Sequence, residues 1–495
     1  MRGGWREAAG WAAATGLAVF VAAQMAASAR SELLFRDGDS LVVALFVRSV
    51  LEGQPQDWAF SSVLFMPEAA CFALLRLVLP WLSVDALFAV NAVVNLVALY
   101  GALRLTAGRR SEGRSPVTWS LAAFVAFGLL VVLETSPSRD ALEPASLLLT
   151  TTYYSATVVS VIAVVGLVRR HVEGGWAGIP YVLALVAVVS TLSNPLFAAW
   201  ATVPLGLLLG LAVLRRRPHA PAPLLALLTG TAVGLLARIP FSAWIANTGA
   251  GYAQPSQWTQ SLQYYASLAG ERLTAPGGVA SALITVALLA FCLRRTMRCT
   301  GGARFVGTAG WVIPVLVVIG AVALGTHAAR YLQPVAFAPV LSLVALPRSI
   351  RMPRVAARMA IAASAVVVLV LSVVSAPRLA ASASADDRDL RCVTAWIDAS
   401  DRTGAGQFWT VRLPKLHLND PAQLVQVDHT LRGYAWLVNR ADFAVGQVTF
   451  LVEDAQSQTW ELPAPGAAPD AVIPCGRYTI LDYARHPLPL GPPRS

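Results

Sequence analysis

The sequence predicts a polytopic α-helical membrane protein of about eleven spans followed by a small extracytoplasmic α/β domain. Three observations predict it. Apolar residues make up 56% of the 495 positions and charged residues only 13%, where a soluble domain carries about 25% charged. The apolar residues gather in runs of about 17 to 23, the length that roughly 30 Å of hydrocarbon demands of a helix. The arginines fall in short clusters between those runs, and charges return only after an Ala/Ser-rich stretch near Ala380. A mean hydropathy of +0.60 excludes a soluble enzyme, a disordered chain and a secreted disulfide scaffold. A net charge of +11 does not indicate nucleic acid here, because the cations sit where they set topology.

The runs occupy 11–29, 84–105, 117–133, 151–168, 179–192, 196–214, 224–244, 279–293, 305–324, 331–346 and 355–375. Cytoplasmic ends of spans collect positive charge. Arg2 and Arg6, Arg109 with Arg110 and Arg114, Arg169 with Arg170, Arg215 to Arg217, Arg294 with Arg295 and Arg298, and Arg348 with Arg351, Arg354 and Arg358 all fall on one side if the amino terminus is cytoplasmic. That arrangement puts the carboxy-terminal region outside the cell. The first run can also be read as a signal peptide, because Ala26-Ala27-Ser28-Ala29 resembles a small-residue cleavage site.

The domains follow: 1–376 as the transmembrane domain, 30–83 within it as the first external loop, and 386–495 as the external α/β domain. In the last, 387–398 reads as a helix, and 407–413, 423–427, 447–452 and 477–483 read as strands. Cys392 and Cys475 bracket it and are either a disulfide, which an oxidising compartment favours, or two buried thiols.

Within the first loop, Asp37-Gly38-Asp39 places two carboxylates at the membrane surface, where insertion has no need of them. Asp39 is also placed to cap the helix that follows, and Gly38 permits a tight turn that aims both acids one way. Two elements after it, 40–52 with Arg48 and Glu52 on its polar side and 62–79 with Glu68 and Arg76, read as helices lying in the interface plane. A second constellation is the string His327 to Pro334, with Arg330 and Tyr331 at its centre. A cation at that depth costs a few kcal/mol on insertion scales and calls for an anionic partner, and a lipid phosphate suits the fork of an arginine. Weaker candidates are Asn194, in the Ser193-Asn194-Pro195 break, Arg139 with Asp140 and Glu143, Arg272 with Glu271, and Tyr264 with Tyr265. No HExxH, GxSxG, P-loop or paired CxxC motif occurs.

An acidic motif in the first external loop, two interfacial helices after it, and a late Arg-Tyr-Leu-x-Pro string resemble the GT-C membrane glycosyltransferases, such as protein O-mannosyltransferases and arabinosyltransferases. The resemblance rests on Asp37-Gly38-Asp39, the Ser193-Asn194-Pro195 break and His327 to Pro334. It implies a polyprenyl-phosphate-linked sugar donor, an extracytoplasmic glycan, lipid or protein acceptor, and transfer with inversion in the cell membrane. Many members carry adjacent acids where Gly38 here separates them. The base is then Asp37, with Asp39 orienting it, or Asp39 itself. Arg330 and His327 hold the donor phosphate, with Tyr331, Asn194, Glu68 and Arg272 as further substrate contacts. The residues identify no cofactor, and a divalent cation stays open. Asp37, Asp39 and Glu68 are hard oxygen ligands of the kind such an ion takes. Two other classes remain open: a transporter or flippase for a lipid-linked glycan, and a non-enzymatic cell-envelope binding protein.

Overall fold

The computed structural model describes residues 4–349, 353–462 and 468–494. Arg2 and Arg351 lie outside them. The protein is a helical bundle of membrane type with a mixed sheet at its carboxy-terminal end. Among the described residues six helices are long and apolar enough to cross a membrane: Gly4–Ala26, Val84–Thr106, Ser155–Val172, Pro276–Arg298, Gly301–Ala323 and Arg358–Ala383. The expectation of eleven spans is corrected accordingly, and prolines and polar breaks account for the difference. Pro116–Val132 has only 17 residues. Ile179–Ser193 ends at Asn194, ahead of Pro195, and Pro221–Leu236 gives way to a 3₁₀ turn containing Pro240. The run at 331–346 is divided into Pro334–Phe337 and Leu341–Ala345, with Pro334 and Pro339 each lacking a helix-bonding N–H. Val366, Leu369, Val370 and Val373 are more than half exposed along one of the six, as an outer wall facing acyl chains would be.

The amino-terminal helix belongs to the bundle. Its Ala14, Ala18 and Ala22 are fully buried, small side chains that allow close helix approach. Two of the basic clusters, those of Arg114 and Arg348, meet at one end of the bundle. Arg104 pairs with Glu7 at 2.5 Å, Arg114 with Glu173 at 3.7 Å, and Arg114 bridges Arg348 through the backbone.

The opposite end holds the first loop, the 133–154 segment, the 327–334 string and the sheet. Seven strands run in the order Gly491–Arg494, Arg432–Tyr434, Leu424–Val427, Gly404–Gln407, Phe450–Glu453, Tyr478–Asp482 and Ala471–Cys475. Gly404–Gln407 lies parallel to both neighbours, so the chain must cross over between them. Helix Phe408–His417 makes that crossover, which corrects the strand expected over 407–413. The strand and this helix pack closely, since a side chain at Gly404 would strike the Phe450 ring and one at Gly406 would strike Val411. Cys392 and Cys475 are disulfide-bonded, with Cα atoms 5.4 Å apart.

The sheet region is not a free-standing appendage. Trp58–Ala59 of the first loop pairs antiparallel with Val438–Asn439, and Arg440 pairs with Asp57 at 2.9 Å. Helix Val42–Leu51, expected flat on the membrane surface, is instead pressed beneath the sheet region. There Arg48 donates to the carbonyls of Leu416, Leu418 and Asn419. The second element, Met66–Val78, carries an exposed apolar face of Leu74, Leu77 and Val78.

A buried charge cluster supports this end. Arg30, 1% exposed, lies 3.7 Å from both Glu134 and Glu143 and donates to the carbonyls of Ser136, Ser138 and Glu143. Arg272 joins it through an ion pair with Glu143 and a bond to the Leu133 carbonyl. Removing one member of a buried ion cluster strands its partners at a cost of about 3–5 kcal/mol. Arg30→Ala is therefore expected to lower the thermal unfolding midpoint of the detergent-solubilised protein by many degrees. An unchanged midpoint would contradict the network's role.

Candidate functional site

Six segments far apart in sequence meet at the sheet-bearing end of the bundle, among them Ser61 to Phe65 and Tyr252. The others are the Asp37–Asp39 turn, the polar run Thr150 to Tyr154 that precedes a helix, the Arg330–Tyr331 string and the Trp436–Leu437 turn of the sheet region. Between them lies a small, partly open cavity of about 50 Å³. Asp39 and Arg330 both line it, together with Tyr154, Tyr331, Tyr252 and Trp436.

The two acids of the first loop have separate surroundings. Asp37, its side chain 5% exposed, is saturated. It takes a 3.1 Å bond from Arg139, a 2.9 Å bond from the Tyr153 hydroxyl and a 3.2 Å bond from the Ser40 amide. That amide bond stabilises the turn itself; Asp39 does not cap the helix that follows, which begins at Val42 with no side-chain cap. Asp37 also lines a second, polar cleft, where its partner Arg139 stacks 3.6 Å above the Trp409 ring. Asp39 faces the Arg330 cavity and engages no neighbour in a salt bridge of 4 Å or less among the described residues. Burial first, and then the nearby Asp37 charge, push its carboxyl up to about 6, against the opposing pull of Arg330, Arg139 and Arg412. A carboxylate held back from ionising, beside a cavity, has the character of a proton acceptor working near neutral pH.

Arg330 stands across the cavity with the Tyr331 ring 5.7 Å from its guanidinium carbon. The string that carries it is fixed by Gln333, which donates to the Tyr153 carbonyl at 3.0 Å. Tyr265 secures its approach through Thr326 at 2.7 Å. Backbone strain marks the same place. Six described residues other than glycine adopt left-handed φ, and Phe65 (51°), Tyr154 (68°) and Leu437 (53°) all line this cavity. Such conformations cost about 1–3 kcal/mol each and persist where surrounding structure over-determines them.

Of the residues the sequence singled out, the fold brings Asp39, Arg330 and Tyr331 to one cavity and places Asp37 directly behind. The others stand elsewhere. His327 is exposed and packs edge-on against Tyr264 at 5.4 Å. Glu68 is buried and accepts from the Ala156 amide at 3.2 Å, capping helix Ser155–Val172, and burial pushes its carboxyl up to about 7. Asn194 is buried between helices, donating to Thr157 and accepting from the Leu196 amide. Arg272 belongs to the Arg30 cluster. None of these four lines the Asp39–Arg330 cavity. Asp37, Asp39 and Glu68 do not converge either, and among the described residues no group of three His, Cys, Asp or Glu side chains could hold a metal ion.

Sequence reasoning passed over Tyr153, Tyr154, Trp436 and Arg412. One signal was available for the tyrosines, since Thr150-Thr151-Thr152-Tyr153-Tyr154-Ser155 is too polar to open a lipid-facing span. If Asn194 is structural, Asn194→Ala should cost about 1–3 kcal/mol through the partners it leaves unpaired, read as a lowered unfolding midpoint. Ligand affinity of the folded fraction should not change. No protein-family model matches this chain, and no curated protein is similar enough to count as a relative.

Proposed function

We propose that the protein is an inverting glycosyltransferase of the GT-C type, moving a sugar from a polyprenyl-phosphate donor to an extracytoplasmic hydroxyl acceptor. The observation that carries this reading is the pairing of an acid with raised pKa and a guanidinium across one cavity, at the membrane end that bears the sheet. In the proposed step, Asp39 removes the proton from the acceptor hydroxyl as its oxygen attacks the anomeric carbon. The new carbon–oxygen bond forms on the face opposite the phosphate, the bond from carbon to phosphate oxygen breaks, and polyprenyl phosphate leaves with the electron pair. Arg330 stabilises the charge developing on that phosphate, with the Tyr154 and Tyr331 hydroxyls at hand. A phosphate is already a competent leaving group, so the scheme needs no general acid.

Asp37 takes a supporting part. It is spent on Arg139, Tyr153 and Ser40, and its charge keeps Asp39 basic. The base therefore moves from Asp37, the first choice on sequence grounds, to Asp39. A flippase would favour ionisable groups near the bilayer midplane, whereas these lie at one end of the bundle. A separable binding module would not share a β-pair with the membrane part, as Trp58–Ala59 and Val438–Asn439 do.

Purified protein in vesicles, supplied with synthetic polyprenyl-phosphate-linked pentoses and hexoses, tests the proposal. Asp39→Asn should lower turnover by about 10² to 10⁴ without altering the unfolding midpoint. Wild-type turnover in that variant would remove the base assignment, and movement of intact donor across the vesicle without bond cleavage would favour transport. Because only ionised Asp39 accepts a proton, kcat/KM should fall as pH drops through about 6 and level off above it. Arg330→Ala should raise KM for the lipid donor far more than for the acceptor, and equal changes would refute the phosphate role.

A further inference from the structure

We infer that Arg412, which the sheet region contributes, is the positioning residue of the site: its fork fixes the Asp37–Asp39 turn against the outer cavity wall. Arg412 is 1% exposed and lies 373 residues beyond Asp39 in the sequence. Its Nε donates to the Gly38 carbonyl at 2.8 Å, between the two acids. Its Nη1 donates to the Leu437 carbonyl at 2.6 Å and to Gln426 Oε1 at 3.2 Å. Gln426 then donates through Nε2 to the carbonyls of Tyr434 and Trp436, each at 2.8 Å. One guanidinium and one amide thus hold both the peptide that presents Asp39 and the strained turn that presents Trp436 and Leu437 to the cavity.

Close packing at Gly38 reinforces the clamp. A methyl group there would stand 3.0 Å from the Trp409 ring and 3.3 Å from both Arg412 Cδ and the Phe408 ring, so the turn is seated against helix Phe408–His417. The Nη2 of Arg412 is buried with no hydrogen-bond partner. Burial lowers the guanidinium to about 10 although Asp39 and Asp37 support its charge, and it remains a cation at neutral pH. The groups facing Asp39 are Asp37, which raises its pKa, Arg330, Arg139 and Arg412, which lower it, and the phenols of Tyr153, Tyr154 and Tyr434. Arg412 therefore has two separable effects, geometry through its planar fork and basicity through its charge. Lysine can replace the second and not the first.

This inference rests on the transferase reading, and its test keeps the two apart. In the same vesicle assay on the full chain, Arg412→Gln should lower kcat by about 10²-fold, the scale of a small misplacement of a reacting group, with little change in donor KM. Its acid limb should move to higher pH, because a lost neighbouring cation raises the pKa of Asp39. Arg412→Lys should keep the wild-type limb and still lose kcat. Arg391→Gln, at an exposed position paired with Asp386, should behave as wild type. A wild-type kcat and limb in Arg412→Gln overturn the inference, as does full kcat in Arg412→Lys. If Arg412→Gln does not fold, the lysine variant alone decides. Turnover indifferent to Asp39→Asn defeats the transferase reading, whereas turnover that needs Asp39 and ignores Arg412 defeats only this inference.

Discussion

Guanidinium groups clamped onto backbone carbonyls shape the sheet-bearing end of this protein. Arg30 holds the carbonyls of Ser136, Ser138 and Glu143, Arg238 those of Leu192 and Ser62, and Arg412 those of Gly38 and Leu437. The constraint behind this is general. Irregular backbone close to hydrocarbon cannot rely on water, so its carbonyls need protein donors. An arginine offers five N–H donors in a fixed plane and keeps its charge when buried. Each clamp joins segments that are distant in the chain, and together they let loops, rather than helices, form a rigid cavity.

The cavity acquires its chemistry from how those loops divide the charges. The two acids of the first loop are separated by a single glycine and have different fates. Asp37 is neutralised by Arg139 and bonded to Tyr153, while Asp39 is left to the cavity and to the more distant pull of Arg330. Environment rather than residue type assigns the roles, the usual way in which paired carboxylates come to differ. The sheet region completes the arrangement by supplying Trp436, Leu437 and Arg412. It is a wall of the site, a role more intimate than an external domain on a linker would have.

Composition and periodicity made several features legible in advance. The apolar runs located most of the long helices, two of the arginine clusters marked one end of the bundle, and Asp37, Asp39, Arg330 and Tyr331 stood out as charged or polar groups without a topological purpose. The span count came out too high because hydropathy alone does not register where prolines and polar breaks cut a run short, as at Asn194-Pro195 and at Pro334. Helix Phe408–His417 was read as a strand because local alternation says nothing of the parallel neighbours that require a crossover.

The sequence by itself determined that this chain is helical, apolar enough for a membrane, and furnished with acids and a guanidinium that burial in lipid would otherwise disfavour. Those are local properties, fixed by residue type and spacing. Tertiary structure alone decided that Asp39 rather than Asp37 lines the cavity with Arg330, that Glu68, Asn194 and Arg272 stand away from it, and that Arg412 reaches back to Gly38. A pKa or a hydrogen bond depends on what stands within a few ångströms, and here those neighbours lie tens to hundreds of residues away along the chain.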